Sequence, residues 1–250
     1  MRALLVGLVL LSGLLGCASV SRVERGGIEV ITITHDNTNV HVVKQGQNAF
    51  LFDSGYEKNT AKLEADLRSA GIDPAKLKAV VVSHAHADHA GGARYFKTTF
   101  NVPVVLGSGD ESMFGKGENE PLCPTGLIGS IRHAEDQAGK YVGSTADVFV
   151  TGTLELKELT GIDAKAILVP GHTRGSVVVT VGDLLLVGDL FRGSIGGYGA
   201  AMHFFMCDVE ENKRNINKVM TEIAPRTSQV FVGHFGPVSA ESVRSYFDVK

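Results

Sequence analysis

Ala79-Val80-Val81-Val82-Ser83-His84-Ala85-His86-Ala87-Asp88-His89-Ala90-Gly91-Gly92 is the stretch on which the reading of this chain turns. A short run of β-branched apolar residues closed by Ser reads as a buried strand. Directly beyond it, four ligand-type side chains, His84, His86, Asp88 and His89, fall within six positions. Imidazoles at i and i+2 on an extended segment can grip one ion from the same side. The Asp and His that follow, as the chain turns toward a helix, can face a second ion. Neutral imidazole and carboxylate suit Zn²⁺, with Fe²⁺ and Mn²⁺ as alternatives. A casual surface tract would leave such a cluster without company.

Here it has company, because the same arrangement recurs along the chain. Asn48–Phe52 runs into Asp53-Ser54-Gly55, Ala166–Val169 into Pro170-Gly171-His172, Leu184–Val187 into Gly188-Asp189, and Gln229–Val232 into Gly233-His234. If these strands lie side by side, their ends can converge on one rim, where a sheet holds side chains rigidly. Two segments also resemble each other. Gly71-Ile72-Asp73 leads through a strand to His84, and Gly161-Ile162-Asp163 leads through a strand to His172, which suggests an internal duplication.

The remaining pattern mixes strands and helices. Ile28–Thr34 and Val40–Lys44 predict an N-terminal meander, and Val177–Val181 with Leu184–Val187 a hairpin around Gly182-Asp183. Helices are predicted over 58–70, stopping at Gly71, over 208–224 from a capping-box-like Asp208 start, and over 239–247. Residues 107–148 lack periodicity and read either as an insertion forming a lid or as a surface excursion with short helices. The expectation is one α+β domain of two layered sheets.

Composition bounds the function. The chain has 250 residues, 44% hydrophobic and 20% charged, ample for a packed core. Its 24 basic and 27 acidic residues give no basic excess, so a small-molecule substrate is expected and nucleic acid is not. Arg2 followed by the uncharged run Ala3–Leu15 reads as a secretion signal, at thirteen residues too short to span a bilayer. Leu14-Leu15-Gly16-Cys17 resembles the lipobox of bacterial lipoproteins. That resemblance implies cleavage after residue 16, a lipid on Cys17 and attachment to a membrane surface on the periplasmic or outer-membrane side. Residues 17–27 are then expected as a tether and 28–250 as the functional domain. Such a compartment would permit Cys123 and Cys207 to pair, a point the sequence leaves open.

The motifs together resemble the metallo-β-lactamase superfamily. The His84-x-His86-x-Asp88-His89 box with Gly91-Gly92 resembles that family's first ligand motif. Gly171-His172-Thr173, Gly188-Asp189 and Gly233-His234 follow in the family's order, and Asp53 matches its early strand-end Asp. The resemblance implies a four-layer αββα sandwich with metals at one edge. It implies a first ion on His84, His86 and His172, a second on Asp88, His89 and His234, Asp189 bridging, and Asp53 accepting a hydrogen bond from a ligand imidazole. Two divalent cations would make a water nucleophilic toward an ester, thioester, lactone or related carbonyl. Asp88 is the candidate proton shuttle, a role open to it only when it is not holding an ion.

In β-lactamases of the family the position of Asp189 is typically Cys or Ser, so the resemblance points to the glyoxalase II and lactonase branch. Arg192 and Tyr198 are candidate substrate contacts. The other histidines, His35, His41, His133 and His203, lack ligand spacing and read as packed or solvated, with His203 able to line a pocket beside Phe204 and Phe205. Alternatives are an iron-dependent dioxygenase of the same fold, a β-lactamase, and a non-catalytic metal-binding lipoprotein.

Overall fold

The computed structural model of the protein describes residues 19–197 and 199–250; the proposed signal segment, Cys17 and Tyr198 lie outside the described residues. Chain order in the first half is β1 (Ser19–Arg25), β2 (Ile28–His35), β3 (Thr38–Gln45), β4 (Asn48–Phe52), α1 (Thr60–Ser69), β5 (Val80–Val82), α2 (Ala87–Ala90), α3 (Ala93–Phe100), β6 (Val104–Gly107), α4 (Glu111–Lys116), α5 (Gly126–Gln137) and β7 (Val148–Val150). The second half runs β8 (Thr153–Glu155), α6 (Lys157–Thr160), β9 (Ala164–Leu168), β10 (Val177–Val181), β11 (Leu184–Leu186), β12 (Arg192–Gly193), β13 (Ala200–Ala201), α7 (Val209–Lys218), β14 (Gln229–Phe231), β15 (Val238–Ser239) and α8 (Ala240–Phe247).

Strands β1 to β7 form one sheet in sequence order, and β15-β14-β11-β10-β9-β8 form the second. Four layers follow from the period of two along each strand. In β5, Val80 and Val82 face the helix side with Leu63 and Leu67 of α1 and Phe96 of α3, while Val81 faces the opposite sheet. In the second sheet Val177, Val179, Leu184 and Leu186 meet Phe50, Phe52 and Val81 of the first sheet. Val178, Leu185 and Val230 turn outward onto Ile216 of α7 and Val243 of α8. The result is the expected αββα sandwich, with the ends of β4, β5, β11 and β14 leading into the site.

The structure departs from the sequence expectation at two places. Within the segment 17–27 expected as a tether, the described part is not one: Ser19–Arg25 pairs with β2 in register, Val23 opposite Val30. Gly26 and Gly27 both have positive φ, the conformation that a two-residue primed hairpin turn needs, so the glycines mark a turn instead of a linker. The strand is hard to read because it lies at a sheet edge and carries mostly exposed residues. The helix predicted over 208–224 begins as expected, with Asp208 accepting from the Glu211 N–H, but changes to a π-helix over Val219–Ile223. Of the two readings of residues 107–148, the short helices are observed: α4 and α5, with Asp110, Met113, Phe114 and Tyr141 buried and α5 beside the cleft.

Candidate metal centre

The ligand-type side chains lie beyond strand ends, Asp88 and His89 in α2, and hydrogen bonds from Nδ1 fix the rings of His84, His89, His172 and His234. His84 follows β5. Its Nδ1 donates to Ser83 Oγ (2.9 Å), and Ser83 Oγ donates onward to Asp53 Oδ2 (2.8 Å). Asp53 also accepts from the Ser83 N–H (2.7 Å) and from His89 Nδ1 (2.8 Å). One buried carboxylate thus orients two imidazoles and leaves Nε2 of each facing the centre. His172 donates from Nδ1 to the Phe205 carbonyl (3.0 Å), and His234 from Nδ1 to the Asn37 carbonyl (2.9 Å) in the β2–β3 turn. In both rings Nε2 again faces inward.

Four groups of nitrogen and carboxylate atoms result; Asp189 joins His84 and His89 in one and His172 and His203 in another, and the remaining two share no residue. His84, His86 and His172 form one; Asp88, His89 and His234 form the other. His86 Nδ1 and His172 Nε2 lie 3.0 Å apart, and His89 Nε2 and His234 Nε2 3.4 Å apart. Asp189 lies between the groups. Its Oδ2 is 3.2 Å from Nε2 of both His89 and His234, and 3.8 Å from Nε2 of both His84 and His172. Close approach is possible because of two glycines. A Cβ at Gly233 would collide with Asp189 Oδ1 and His89 Cε1, and Gly188 has φ +56° beside Ser83.

The donor set fits divalent cations on this structure's own terms. His84 Nε2 and Asp189 Oδ1 are buried and have no hydrogen-bond partner among the described residues, although buried polar atoms normally find one. His89 and His234 face each other through Nε2 while Nδ1 of each already donates, so as neutral rings they can share an ion but cannot satisfy one another. Electrostatics separates the two groups. Burial holds the pKa of His84 and His172 well below the ordinary imidazole value, and that of His86 at about 4, so the first group is neutral and ready to ligate. At His89 burial also opposes charge, but Asp189, Asp88 and Asp53 outweigh it and raise the pKa well above the usual range. At His234 burial is likewise outweighed, chiefly by Asp189, and the pKa rises to about 10. Asp88 and Asp189 are held ionised: burial raises each carboxyl, and the surrounding imidazoles overcome it.

The structure brings together all seven expected ligands and Asp53, and adds residues that spacing did not reveal. His203, expected to be packed or to line a pocket beside Phe204 and Phe205, does line the cleft with them, is 3% exposed and places Nε2 3.0 Å from Asp189 Oδ2, a proximity that spacing did not reveal. Asp110 ties the two histidine loops together, accepting from the Ala85 N–H, the Gly175 N–H and Thr173 Oγ1 at 2.7–2.9 Å. No signal in the sequence marks Asp110, which lies in the aperiodic region. Cys123 and Cys207 form a disulfide. It joins two extended segments that also share Met206 N–H to Cys123 O (2.8 Å) and Thr125 N–H to Phe204 O (2.7 Å).

A cleft of about 510 Å³ opens over the centre, with His86, Asp88, Asp189, His203, Phe204 and His234 in its wall. That volume suits a small organic molecule. Arg192 is not in this wall. Its guanidinium stacks on the outer side of the site against Phe204 (4.1 Å) and donates to the Gly193 carbonyl (2.8 Å).

Comparison with known proteins agrees with this geometry. Residues 33–237 match the family model of the metallo-beta-lactamase superfamily. The chain is 27% identical over 172 residues to the probable metallo-hydrolase YybB of Bacillus subtilis, covering 68% of this chain and 69% of that protein. It is 27% identical over 173 residues to a hydroxyacylglutathione hydrolase of Alkalilimnicola ehrlichii, covering 69% of this chain and 52% of that longer enzyme. Among solved structures, BJP-1, a subclass B3 metallo-beta-lactamase of Bradyrhizobium japonicum, superposes with a TM-score of 0.63 at 17% identity, covering 88% of this chain and 86% of that one. At that identity the likeness concerns the fold.

Proposed function

Because the chain belongs to the metallo-β-lactamase superfamily, we propose that it is a dinuclear metal-dependent hydrolase of an ester, thioester or lactone. The observation that carries this reading is Asp189 standing between two complete ligand groups, with one oxygen within 3.2–3.8 Å of an imidazole nitrogen from each. His84, His86 and His172 would hold one ion, Asp88, His89 and His234 the other, and Asp189 would serve both. Two such ions supply Lewis acidity, lowering the pKa of water and polarising a carbonyl oxygen. Zn²⁺ suits this donor set, as do Fe²⁺ and Mn²⁺.

The chain's own residues do the rest. Asp53, the Phe205 carbonyl and the Asn37 carbonyl accept from Nδ1 of His89, His172 and His234 and so direct Nε2 of each ring to the centre. His172 is neutral and ready to ligate, whereas His89 and His234 would give up the Nε2 proton as an ion binds. Asp88 faces the cleft, with Oδ2 3.3–3.4 Å from His234 and His89, and would carry a proton toward a leaving group only while it is not holding the ion. Phe204 and Phe205 give the cleft an apolar wall that excludes water from one side. A thioester or ester substrate is supported by the hydroxyacylglutathione hydrolase relative and by the carboxylate at position 189, where β-lactamases of the family typically carry Cys or Ser.

Metal analysis combined with a substrate panel tests the proposal. Two equivalents of divalent metal are expected, with turnover of thioesters, lactones or activated esters and weak or no β-lactam hydrolysis. A protein that takes up no metal under any loading condition, or that cleaves several β-lactams and none of the others, overturns it. One ion per chain with consumption of O₂ would move the reading to a dioxygenase. We further propose that Cys17 carries a lipid that anchors the enzyme at a membrane surface. Cys17→Ser should block processing or release the protein, and unchanged mass and fractionation in that variant would reject the anchor.

A further inference from the structure

His234 is less enclosed than the imidazoles around it. Its side chain is 14% exposed, against 2% or less for His84, His89 and His172. It stands in the loop that leaves β14, and the next residue, Phe235, has φ +60°, a left-handed conformation unusual for an aromatic residue. Such a loop keeps its course only where its surroundings fix the backbone.

The β2–β3 hairpin of the other sheet supplies that restraint. Asn39, 2% exposed, donates from its backbone N–H to the Gly233 carbonyl (2.7 Å). Its side-chain Nδ2 donates to the Val232 carbonyl (2.9 Å) and to the Phe235 carbonyl (2.6 Å). One residue thus holds carbonyls on both sides of His234. The direction of the amide is unambiguous. Carbonyls only accept, so the atom between them is the NH₂, and Oδ1 accepts from Thr34 Oγ1 (2.7 Å). The neighbours of Asn39 serve the same ligand group. Thr38 forms a β-bridge with His234, its Oγ1 donates to Asp88 Oδ2 (3.3 Å), and the Asn37 carbonyl accepts from His234 Nδ1. Among the described residues, none of these hydrogen bonds reaches His84, His86 or His172.

We propose that Asn39 is a positioning residue for the ion on Asp88, His89 and His234: through the Val232, Gly233 and Phe235 carbonyls it holds His234 where that ring meets Asp88 and His89. This rests on the dinuclear reading above. A buried polar group that fixes the residue beside an ion governs how tightly the ion is held. The centre is thereby divided. The β2–β3 hairpin governs one ligand group, while Asp110 braces the loops that carry His84, His86 and His172.

The test uses Co²⁺ binding, which reads both ion sites without any substrate. Wild-type protein and the variants Asn39→Ala, Asn39→Leu and Thr34→Val are titrated, and the visible absorption of each bound ion is recorded. The wild type should bind two ions, and the bands lost in His234→Ala identify the site that His234 serves. Asn39→Ala and Asn39→Leu remove both side-chain donors. They should bind that ion about 10- to 100-fold more weakly and shift its bands, while holding the other ion as the wild type does. Thr34→Val keeps the donors and removes only the hydroxyl that holds Oδ1, and should weaken the same ion by about three- to tenfold. The split between the two affinities separates positioning from general support, because a loosened fold would weaken both ions together. Unchanged affinity at the His234 site in the Asn39 variants overturns the proposal, and so does equal weakening of both ions. Should both Asn39 variants fail to fold, Thr34→Val decides, and wild-type affinity at the His234 site in that variant overturns the proposal. A wild type binding fewer than two ions removes the dinuclear reading and this proposal with it, an outcome visible before any variant is measured.

Discussion

The strand ends and the 203–207 segment serve the same centre, and they are built by different means. At the strand ends the sheet ladder places the backbone. β5 pairs in parallel with β4 and β6, and β11 with β14, so His84, Asp189 and His234 leave the sheets in fixed register. The 203–207 segment has no such ladder. It is held by one β-bridge, a few hydrogen bonds and a disulfide to a partner 84 residues away. A ligand on a strand end should therefore matter through its own chemistry, and the segment should matter through what keeps it in place.

Removing a strand-end ligand should give the largest effect. His84→Ala or Asp189→Asn should lower turnover by about three orders of magnitude, roughly 4 kcal/mol of barrier, with loss of bound metal and little change in far-ultraviolet circular dichroism. Full activity in Asp189→Asn would mean that the carboxylate does not bridge.

Opening the clamp comes next. Replacing both Cys123 and Cys207 by Ser frees a long loop and should lower unfolding stability by about 3 kcal/mol. The variant should keep the first ligand group on its strands and weaken metal binding less than His84→Ala does. A clamp variant that lost all metal would show that the segment, and not the sheet rim, organises the centre.

Acid should act on the sheet rim. His41 is buried between the sheets, where loss of solvation holds its pKa at about 4 against an ordinary 6.5. The unfolded chain takes up that proton first as pH falls. The contribution of neutral His41 is therefore complete above pH 6.5 and is lost progressively down to about pH 4, for about 3 kcal/mol in all. Burial lowers the pKa of His84, His86 and His172 as well, which acts in the same direction. Urea unfolding of metal-free protein at pH 7 and pH 4.5 measures the slope. His41→Gln should make it shallower, and an identical slope would remove His41 as a contributor.

Smaller effects separate supporting groups from bystanders. Asp53→Asn removes the charge that orients His84 and His89 and should weaken metal binding by about 10- to 100-fold, as read by competition with a chromophoric chelator. Arg192 lies outside the cleft wall, and Arg192→Lys loses its stack on Phe204, worth about 0.5–1 kcal/mol, and its hydrogen bond to the Gly193 carbonyl. A two- to fivefold change in KM is the most it should give. A hundredfold change would return Arg192 to the list of substrate contacts.

The ligand set was legible in the sequence because each member stands directly after a buried strand. An apolar run and the polar residue that ends it are adjacent in the chain, so local order carries the information. Asp53 was legible for the same reason, since Asn48–Phe52 leads straight into it. The layered fold followed from strands apolar on both faces, such as β5, whose three valines divide between two cores. His203, Asp110 and the Cys123–Cys207 pair were decided only in three dimensions. Their partners lie far along the chain, Asp189 for His203 and Ala85, Thr173 and Gly175 for Asp110, and nothing in their local sequence sets them apart. Strand β1 was missed for a related reason: at a sheet edge its stability comes from backbone pairing with β2, which needs no apolar pattern. Local chemistry named the metal site, and long-range packing determined which further groups hold it in shape.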